Sequence, residues 1–252
     1  MNLGDMCWQE ANETFKNEET VIIIPIGSTE QHGCVGPLGT DWMIPQEFAR
    51  RLESMDNVVV APPLCYGVAP QHTEFAGSID IGLETMTKIV DSMLTQWFKQ
   101  GVKRFIIING HGGNSPAFIA PGLKLNRQGG ILSVINWWSI APQINQQWVT
   151  GHGDAQEVSA IMAFRPELIK EKYFAENIVP RLTNNLFPTH LNTVSFEGVS
   201  VQIIREIKDT ASTGGFGGLE SQNATMQWGQ EMMDRMTEWM QRFVKEFQKI
   251  PL

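Results

Sequence analysis

The sequence predicts a three-layer α/β/α protein with a mostly parallel central sheet, and two observations lead to this fold class. Four short apolar runs are rich in β-branched residues and continuous rather than alternating, which is typical of strands covered on both faces. Segments with helical spacing lie between them, and strands alternating with helices indicate βαβ units. No linker or internal repeat interrupts the pattern, so we expect one domain over residues 1–252. The predicted strands are Val21–Ile26, Val58–Ala61, Phe105–Ile108 and Ile131–Ile135.

The helices are predicted from apolar side chains that recur every three or four residues. Gly101 stops the second helix, and Gly129 and Gly130 end the third. The last helix carries methionines and aromatic residues at helical spacing, which we interpret as core packing. Residues 173–218 are rich in turn residues, and we expect strands and loops there, over one end of the sheet. The predicted helices are Pro45–Met55, with Phe48 and Leu52 inward, Thr85–Gln100, Pro116–Gln128 and approximately Ser221–Gln248.

Composition and charge argue against several classes of function. The formal net charge is −8 and no block of lysine and arginine occurs, so a nucleic-acid partner is not expected. The three cysteines, Cys7, Cys34 and Cys65, form no CxxC pair, which argues against a disulfide framework and a thiolate zinc site. The N-terminus has no signal-peptide core, and no apolar run reaches the ~18 residues that a membrane helix needs. We therefore expect a cytoplasmic protein with no membrane partner.

Polar residues follow the first predicted strand, where ligands of open α/β sheets usually bind. Glu30 and His32 are two residues apart, so an extended backbone points both side chains the same way. A loop rich in glycine and proline then allows Asp41 to bend back toward them. Two carboxylates and an imidazole suit zinc, manganese or a similar divalent ion. On this motif alone, a hydrogen-bonded turn with an incidental histidine stays open.

The third predicted strand ends in the sequence NGHGGN, which places His111 on a glycine-rich turn before a helix. Glycines such as Gly112 permit close approach of the backbone to an ion or a ligand. A phosphate cradle at a helix N-terminus, or a tight turn with a surface histidine, are the alternatives. The two strand ends together favour a metal site.

A third polar group, TGHGDAQEVSA, follows the fourth strand. His152 and Glu157 are five residues apart, so they do not share a regular helix face. We expect His152 in a loop and Glu157 in the first turns of a helix, with Asp154 as its N-cap. One of the first two could be a metal ligand and the other a proton carrier. A carboxylate that merely favours the helix dipole is the alternative for Glu157.

Taken together, these motifs resemble those of the creatininase (creatinine amidohydrolase) family. The matching segments are GSTEQHG with Asp41, NGHGGN, and His152 followed five residues later by Glu157. Weaker matches are PQHTEFAGSIDI, Trp138 in INWWS, and GGFGGLESQNATMQWG. The resemblance runs from about Val21 to the last helix.

The resemblance implies a single creatininase-like hydrolase domain that binds two metal ions, zinc or manganese. Asp41 would lie between the ions, Glu30 and His111 would hold one, and His32 would hold the other. Water between two such cations ionises near neutral pH and attacks a carbonyl-type carbon. His152 would carry the proton from water to the leaving group. Family members usually assemble into hexamers, so we expect a homo-oligomer.

Two glycines depart from the pattern of creatininase itself. Gly113 stands where that enzyme has a glutamate ligand, and we assign Glu157 as the replacement, as in some other members. Gly151 stands where it has a glutamate that helps to bind substrate. A guanidinium-like substrate would lose a carboxylate partner here, which argues against creatinine.

The resemblance also indicates residues on the substrate side of the site. His72 lies in a segment near the substrate, with a satisfied loop histidine as the alternative. We expect Trp138 to wall the pocket and Gly112 to approach the substrate, whereas Trp137 is expected to pack in the core. His190 is left open between the surface and the site of a neighbouring subunit.

Three functions follow as hypotheses for a small polar substrate. The first is hydrolysis of a cyclic amide or another small C–N bond. The second is cleavage of a ring carbon–carbon bond in 3-dehydro-scyllo-inosose, an inositol-derived ketone. Family branches that deformylate a formamide or trim a modified peptide are not separable from these by sequence. The third is a non-catalytic metal- or sugar-binding protein, against which the presence of His152 weighs.

Overall fold

The central sheet has the four parallel strands that the sequence predicts. A computed structural model describes residues 1–252 and contains β1 (Val21–Ile26), β2 (Val58–Val60), β3 (Arg104–Asn109) and β4 (Ile131–Asn136). Their order is β2-β1-β3-β4. Ile26 at the end of β1 pairs with Asn109 at the end of β3, so the segments that follow leave the sheet side by side. Two of the predicted polar motifs therefore start from the same edge.

The helices cover both faces of this sheet. One face packs against α2, α5, α6 and α7, and alternate strand residues on the other face pack against α3 and α4, which confirms the three-layer fold. Met232, Met236 and Met240 of α7 lie in the core, as predicted. No helix in the structure is both long and apolar enough to cross a membrane. The helices are α1 (Trp8–Thr14), α2 (Thr40–Leu52), α3 (Leu83–Lys99), α4 (Ser115–Arg127), α5 (Trp137–Ile144), α6 (Ala155–Met162) and α7 (Met226–Gln248).

Helix α2 begins at Thr40, not at Pro45 as predicted, so Asp41 lies in its first turn. Pro45 has no N–H to donate to the carbonyl of Asp41 four residues before it. That carbonyl instead abuts two glycines at the strand ends: an added Cβ would lie 2.2 Å from it at Gly27 and 1.8 Å at Gly110. The start of α2 is thus wedged against the ends of β1 and β3, which fixes the backbone of Asp41.

Residues 173–218 contain the strands and loops expected there. A three-stranded antiparallel sheet, called the hairpin sheet below, consists of β6 (Phe187–His190), β7 (Thr193–Phe196) and β8 (Val199–Gln202). Glu197 and Gly198 both have positive φ between β7 and β8, as two-residue hairpin turns require. The short strands β5 (Gly151–His152) and β9 (Phe216–Gly217) pair with each other.

Candidate metal centre

Glu30 and His32, in the segment after β1, are almost completely buried. The Nδ1 atom of His32 lies 3.0 Å from the backbone carbonyl of Glu30 and donates its proton there. The other ring nitrogen, Nε2, lies 2.8 Å from Oδ1 of Asp41, and once it has lost its proton its lone pair is free to bind a metal. A histidine that binds metal is commonly oriented by such a hydrogen bond from its second nitrogen.

His111, in the segment after β3, is oriented in the same way from the opposite side. Its Nε2 donates to the carbonyl of Val68 at 2.8 Å, and the N–H of Val68 donates to the side chain of Asn114 at 2.9 Å. The free Nδ1 of His111 lies 3.1 Å from Oε1 of Glu30 and 3.1 Å from Oδ2 of Asp41. The convergence expected from the two strand ends is therefore present.

Asp41 lies between two groups of potential ligands and belongs to both. One group is Glu30, Asp41 and His111, and the other is His32, Asp41 and Glu157; in each, one ligand atom per residue lies within 4.8 Å of the others. The carboxylate turns Oδ2 toward His111 and Oδ1 toward His32. A carboxylate in this position can bridge two ions.

Glu157 reaches the second group from the first turn of α6. Asp154 caps this helix by accepting the backbone N–H groups of Gln156 and Glu157, as predicted. The Oε2 atom of Glu157 lies 3.8 Å from Nε2 of His32 and accepts the N–H of Gly153 at 2.7 Å. The helix cap thus holds the first turn so that Glu157 enters the centre.

Hydrogen bonds satisfy only part of the buried charge of the centre. Both carboxylate oxygens of Glu30 and Oδ2 of Asp41 accept no well-aligned hydrogen bond, although histidine nitrogens lie 3.1–3.2 Å from Oε1 of Glu30 and from Oδ2 of Asp41. Burial raises the pKa of Glu30, and it raises the pKa of Glu157 to about 8. Burial alone would lower the pKa of His32, but the nearby Asp41 and Glu157 carboxylates raise it to about 10. Unpaired buried carboxylates are costly, so this donor set fits divalent cations such as zinc or manganese.

The two glycines that depart from the creatininase pattern have no room for a side chain. A Cβ on Gly113 would lie 2.1 Å from the carbonyl of Val68 and 2.6 Å from Nε2 of His111. A Cβ on Gly151 would lie 2.5 Å from the backbone of Gly217, because β5 and β9 pair there. In this chain a carboxylate can enter only from elsewhere, and Glu157 does so.

His152 and His72 lie beside the two ligand groups that share Asp41, and His152 also forms a third group of potential ligands with Glu30 and His32. The ring centroid of His152 is 4.6 Å from that of His32 and 4.8 Å from that of His72, and its ring stacks on Phe216. Burial and the neighbouring His32 hold the pKa of His152 well below its usual value. The Nε2 atom of His72 lies 3.2 Å from Oε1 of Glu30. His72 therefore contacts a potential ligand directly, which the sequence did not indicate.

A cavity of about 710 Å³ opens onto the centre. Asp41, His111, Glu157 and His152 line its floor, and the predicted substrate-side residues line it too. Trp137, in contrast, is fully buried in the core, as expected. The predicted residues on the wall are His72, Trp138 and Gly112, and those that sequence reasoning missed include Gln71, Ser139, Thr150, Asn192, Gln202 and Phe216.

The hairpin sheet supplies the outer wall of this cavity. His190, left open by the sequence, is exposed and lines the cavity of its own chain. The side-chain amides of Gln71 and Asn192 bond to each other in both directions, at 2.8 and 3.2 Å. This pair ties the hairpin sheet to the turn that carries His72. No sequence motif signals such a contact, because its members are 121 residues apart.

Comparison with known proteins gives one consistent family. The model of the Creatininase family, described as creatinine amidohydrolase, matches residues 4–244. Creatinine amidohydrolase of Pseudomonas putida is 27% identical over 66% of this chain and 73% of that protein. A mycofactocin precursor peptide peptidase of Mycobacterium ulcerans is 30% identical over 63% of this chain and 64% of that protein. The 3-dehydro-scyllo-inosose hydrolase of Thermotoga maritima is 27% identical over 67% of this chain and 57% of that protein.

Solved structures share the fold. A manganese form of creatininase superposes with a TM-score of 0.79 at 19% identity, over 99% of both chains. A mutant creatininase of Zn–Zn type superposes with a TM-score of 0.77 at 19% identity, over 99% of this chain and 98% of that one.

Proposed function

The chain belongs to the creatininase family and is a metal-dependent hydrolase, and from that premise we propose that it hydrolyses a small neutral polar molecule with two divalent ions. The observation that carries the two-ion proposal is the position of Asp41, whose two oxygens face two separate ligand groups. The related structures that contain manganese or two zinc ions support the choice of metal.

In this proposal Glu30 and His111 would hold the first ion, His32 and Glu157 would hold the second, and Asp41 would serve both. Glu157 takes the role of the ligand that is missing at Gly113. The orientation of His32 and His111 supports these roles, because each donates the N–H of its other ring nitrogen to a backbone carbonyl.

His152 acts as the proton carrier of the reaction. When bound, the ions would supply an activated water molecule and would polarise the group that it attacks. The Nε2 atom of His152 is held by the backbone carbonyl of Gln31 at 2.8 Å, and Nδ1 has no hydrogen bond within the protein. Nδ1 is therefore the nitrogen left to take a proton from water and to pass it to the leaving group. Phe216, stacked on the ring, limits access of bulk water from that side.

The walls of the cavity favour a neutral substrate. Apart from Asp41 and Glu157, no aspartate, glutamate, lysine or arginine lines the cavity. A guanidinium-like group would find no free carboxylate, since Gly151 leaves no room for one. We therefore place a neutral cyclic amide or a similar C–N bond first. The hydroxyl and amide side chains of the wall also suit a polyol ketone, which keeps cleavage of a ring carbon–carbon bond as the second candidate.

Turnover measurements test this proposal. Protein stripped of metal and reloaded with zinc or manganese is offered creatinine, neutral cyclic amides, 3-dehydro-scyllo-inosose and a short peptide. Turnover of a neutral amide or of the ketone, with creatinine much slower, is the expected result. Creatinine as the best substrate would overturn the argument that the missing carboxylate at Gly151 disfavours it. If none of these compounds reacts, and one of them binds equally well to the wild-type and His152→Ala proteins, the chain is a binding protein rather than an enzyme.

We further propose that residues 1–252 act as one unit and assemble into a homo-oligomer, a hexamer by analogy with the family. The support is a set of exposed apolar side chains on and beside the hairpin sheet, since such patches often mark protein contacts. Light scattering on the purified protein would measure the mass, and a monomer at all concentrations would contradict the proposal. The exposed residues are Phe187, Phe196, Val199, Val201 and Ile204.

A further inference from the structure

Gln31 lies between the proposed ligands Glu30 and His32, yet its side chain leaves in a different direction. It is 4% exposed and does not line the main cavity. Its Oε1 atom accepts the N–H of Gly33 at 2.9 Å, and its Nε2 atom donates to the carbonyl of Gly214 at 3.1 Å. These two backbone contacts determine which end of the amide is oxygen and which is nitrogen.

The fold leaves space for this amide. Gly214 has a φ of +80°, and a Cβ there would lie 2.4 Å from Oε1 of Gln31. A residue with a side chain at this position would push the amide away. The turn at Gly214 and the loop at Gly33 together form a fitted slot for one side chain.

The amide nitrogen faces two histidines of the centre. It lies 3.3 Å from Nδ1 of His72 and 2.9 Å from Nε2 of His152. When Nδ1 of His72 accepts this hydrogen bond, its Nε2 carries the proton and points to Oε1 of Glu30 at 3.2 Å. Gln31 thus selects the tautomer in which His72 stabilises the charge of a proposed ligand.

His152 receives two kinds of contact from the same residue. Its Nε2 lies 2.8 Å from the backbone carbonyl of Gln31, which can only accept a proton, and 2.9 Å from the amide nitrogen, which can only donate one. The amide has only two N–H groups, and the carbonyl of Gly214 and Nδ1 of His72 take both. Nε2 of His152 therefore keeps its proton and donates it to the backbone carbonyl of Gln31. Nδ1 of His152 is then the nitrogen without a proton, as its proposed role requires.

We infer that Gln31 is a positioning residue: its backbone carbonyl orients the proton carrier His152, and its side-chain amide sets the tautomer of His72. This inference rests on the proposed hydrolytic function, in which His152 moves a proton. Gln31 would act through the two rings and would touch neither substrate nor metal. Loss of its amide should lower kcat by about 10- to 100-fold, the usual effect of removing a partner that orients an active-site group. KM and metal content should change little.

The test compares Gln31→Met, which keeps the length of the side chain and removes its hydrogen bonds, with Gln156→Met as a matched control. Gln156 is also a fully buried amide, but it bonds to the carbonyls of Trp138 and Trp148 and touches no histidine. The chain has five histidines, so protein labelled with ¹⁵N-histidine gives few imidazole signals. Spectra are recorded with and without zinc, and bound zinc is measured by elemental analysis.

In Gln31→Met, the ¹⁵N shifts of His72 should move toward those of mixed tautomers, with zinc content unchanged and kcat reduced. His152, still held by the backbone carbonyl of residue 31, should keep its proton on Nε2. Gln156→Met should keep both shifts and kcat per bound zinc, even where its melting temperature falls. Wild-type shifts and kcat in Gln31→Met would overturn the inference. If Gln31→Met does not fold, it is replaced by Gln31→Glu, which keeps the acceptor for Gly33 but can only accept from Nδ1 of His72. The shifts of His72 should then move toward the tautomer protonated at Nδ1. The histidine spectra need no substrate, so they decide the inference even when the proposed hydrolysis fails.

Discussion

The two halves of the candidate centre share Asp41 but are built differently. In the first half, Glu30 and His111 follow β1 and β3, and the pairing of Ile26 with Asn109 sets their separation. In the second half, His32 meets Glu157, which comes from α6, outside the four-stranded sheet. The first half is thus a consequence of strand pairing, whereas the second depends on how the chain after β4 folds back. The second half also contains Glu157, the proposed replacement for the ligand that is missing at Gly113.

The largest expected effect comes from breaking both halves together. Asp41→Ala removes the carboxylate that faces both ligand groups, so bound metal should fall to a trace. Since metal ions contribute several kcal/mol to catalysis, kcat/KM should drop by at least about 10³-fold. Elemental analysis and initial rates measure the two effects. Full metal content in this variant would show that Asp41 bridges nothing.

His152→Ala leaves both halves intact and removes only the proposed proton carrier. Loss of general acid–base catalysis typically costs about 10²- to 10⁴-fold, and kcat should fall within that range. Bound metal should stay at the wild-type level, because His152 has no assigned ligand role. A parallel loss of metal and activity would instead make His152 a ligand of the centre.

Variants that break one half at a time compare the halves directly. His111→Ala should remove the ion of the first half, and Glu157→Gln should weaken only the ion of the second. We expect about one ion per chain in each variant. The loss of activity should be larger in His111→Ala, because Glu30 and Asp41 then both lose the histidine that they contact. Metal titrations with elemental analysis check this result. Loss of both ions in Glu157→Gln would show that the halves are not separable.

Much of this centre follows from local rules, and the rest does not. Apolar runs predict the strands, and the ends of adjacent parallel strands bring Glu30 and His111 together. The predicted start of α2 at Pro45 was wrong, because proline is typical of a first helical turn. Here Pro45 lies inside the helix, and its missing N–H leaves free the carbonyl of Asp41, for which Gly27 and Gly110 make room. That contact depends on tertiary packing.

The outer wall of the cavity was not predictable for a related reason. Gln71 and Asn192 meet across 121 residues, and neither lies in a periodic pattern. The sequence analysis assigns no role to Gln31, because alternation in an extended segment points it away from Glu30 and His32. Only the folded turn at Gly214 gives its amide a role.

Proton release on metal binding gives the smallest effect. In the metal-free protein the pKa of His32 is about 10 and that of Glu157 about 8, so both hold protons at pH 7. Ligands must be deprotonated to bind metal, so adding zinc at pH 7 should release protons into solution. The release should decrease as pH rises through about 8, where Glu157 is already ionised. Calorimetry in buffers of different ionisation enthalpy measures the release, and a pH-independent value would contradict these protonation states.

The central claim is that two ions lie on either side of one carboxylate. Diffraction from zinc-loaded crystals, with data on both sides of the zinc absorption edge, tests it most directly. Two anomalous peaks are predicted, one beside Oδ2 of Asp41 with Glu30 and His111, and one beside Oδ1 with His32 and Glu157. A single peak held by residues of both groups, or peaks away from Asp41, would contradict the account.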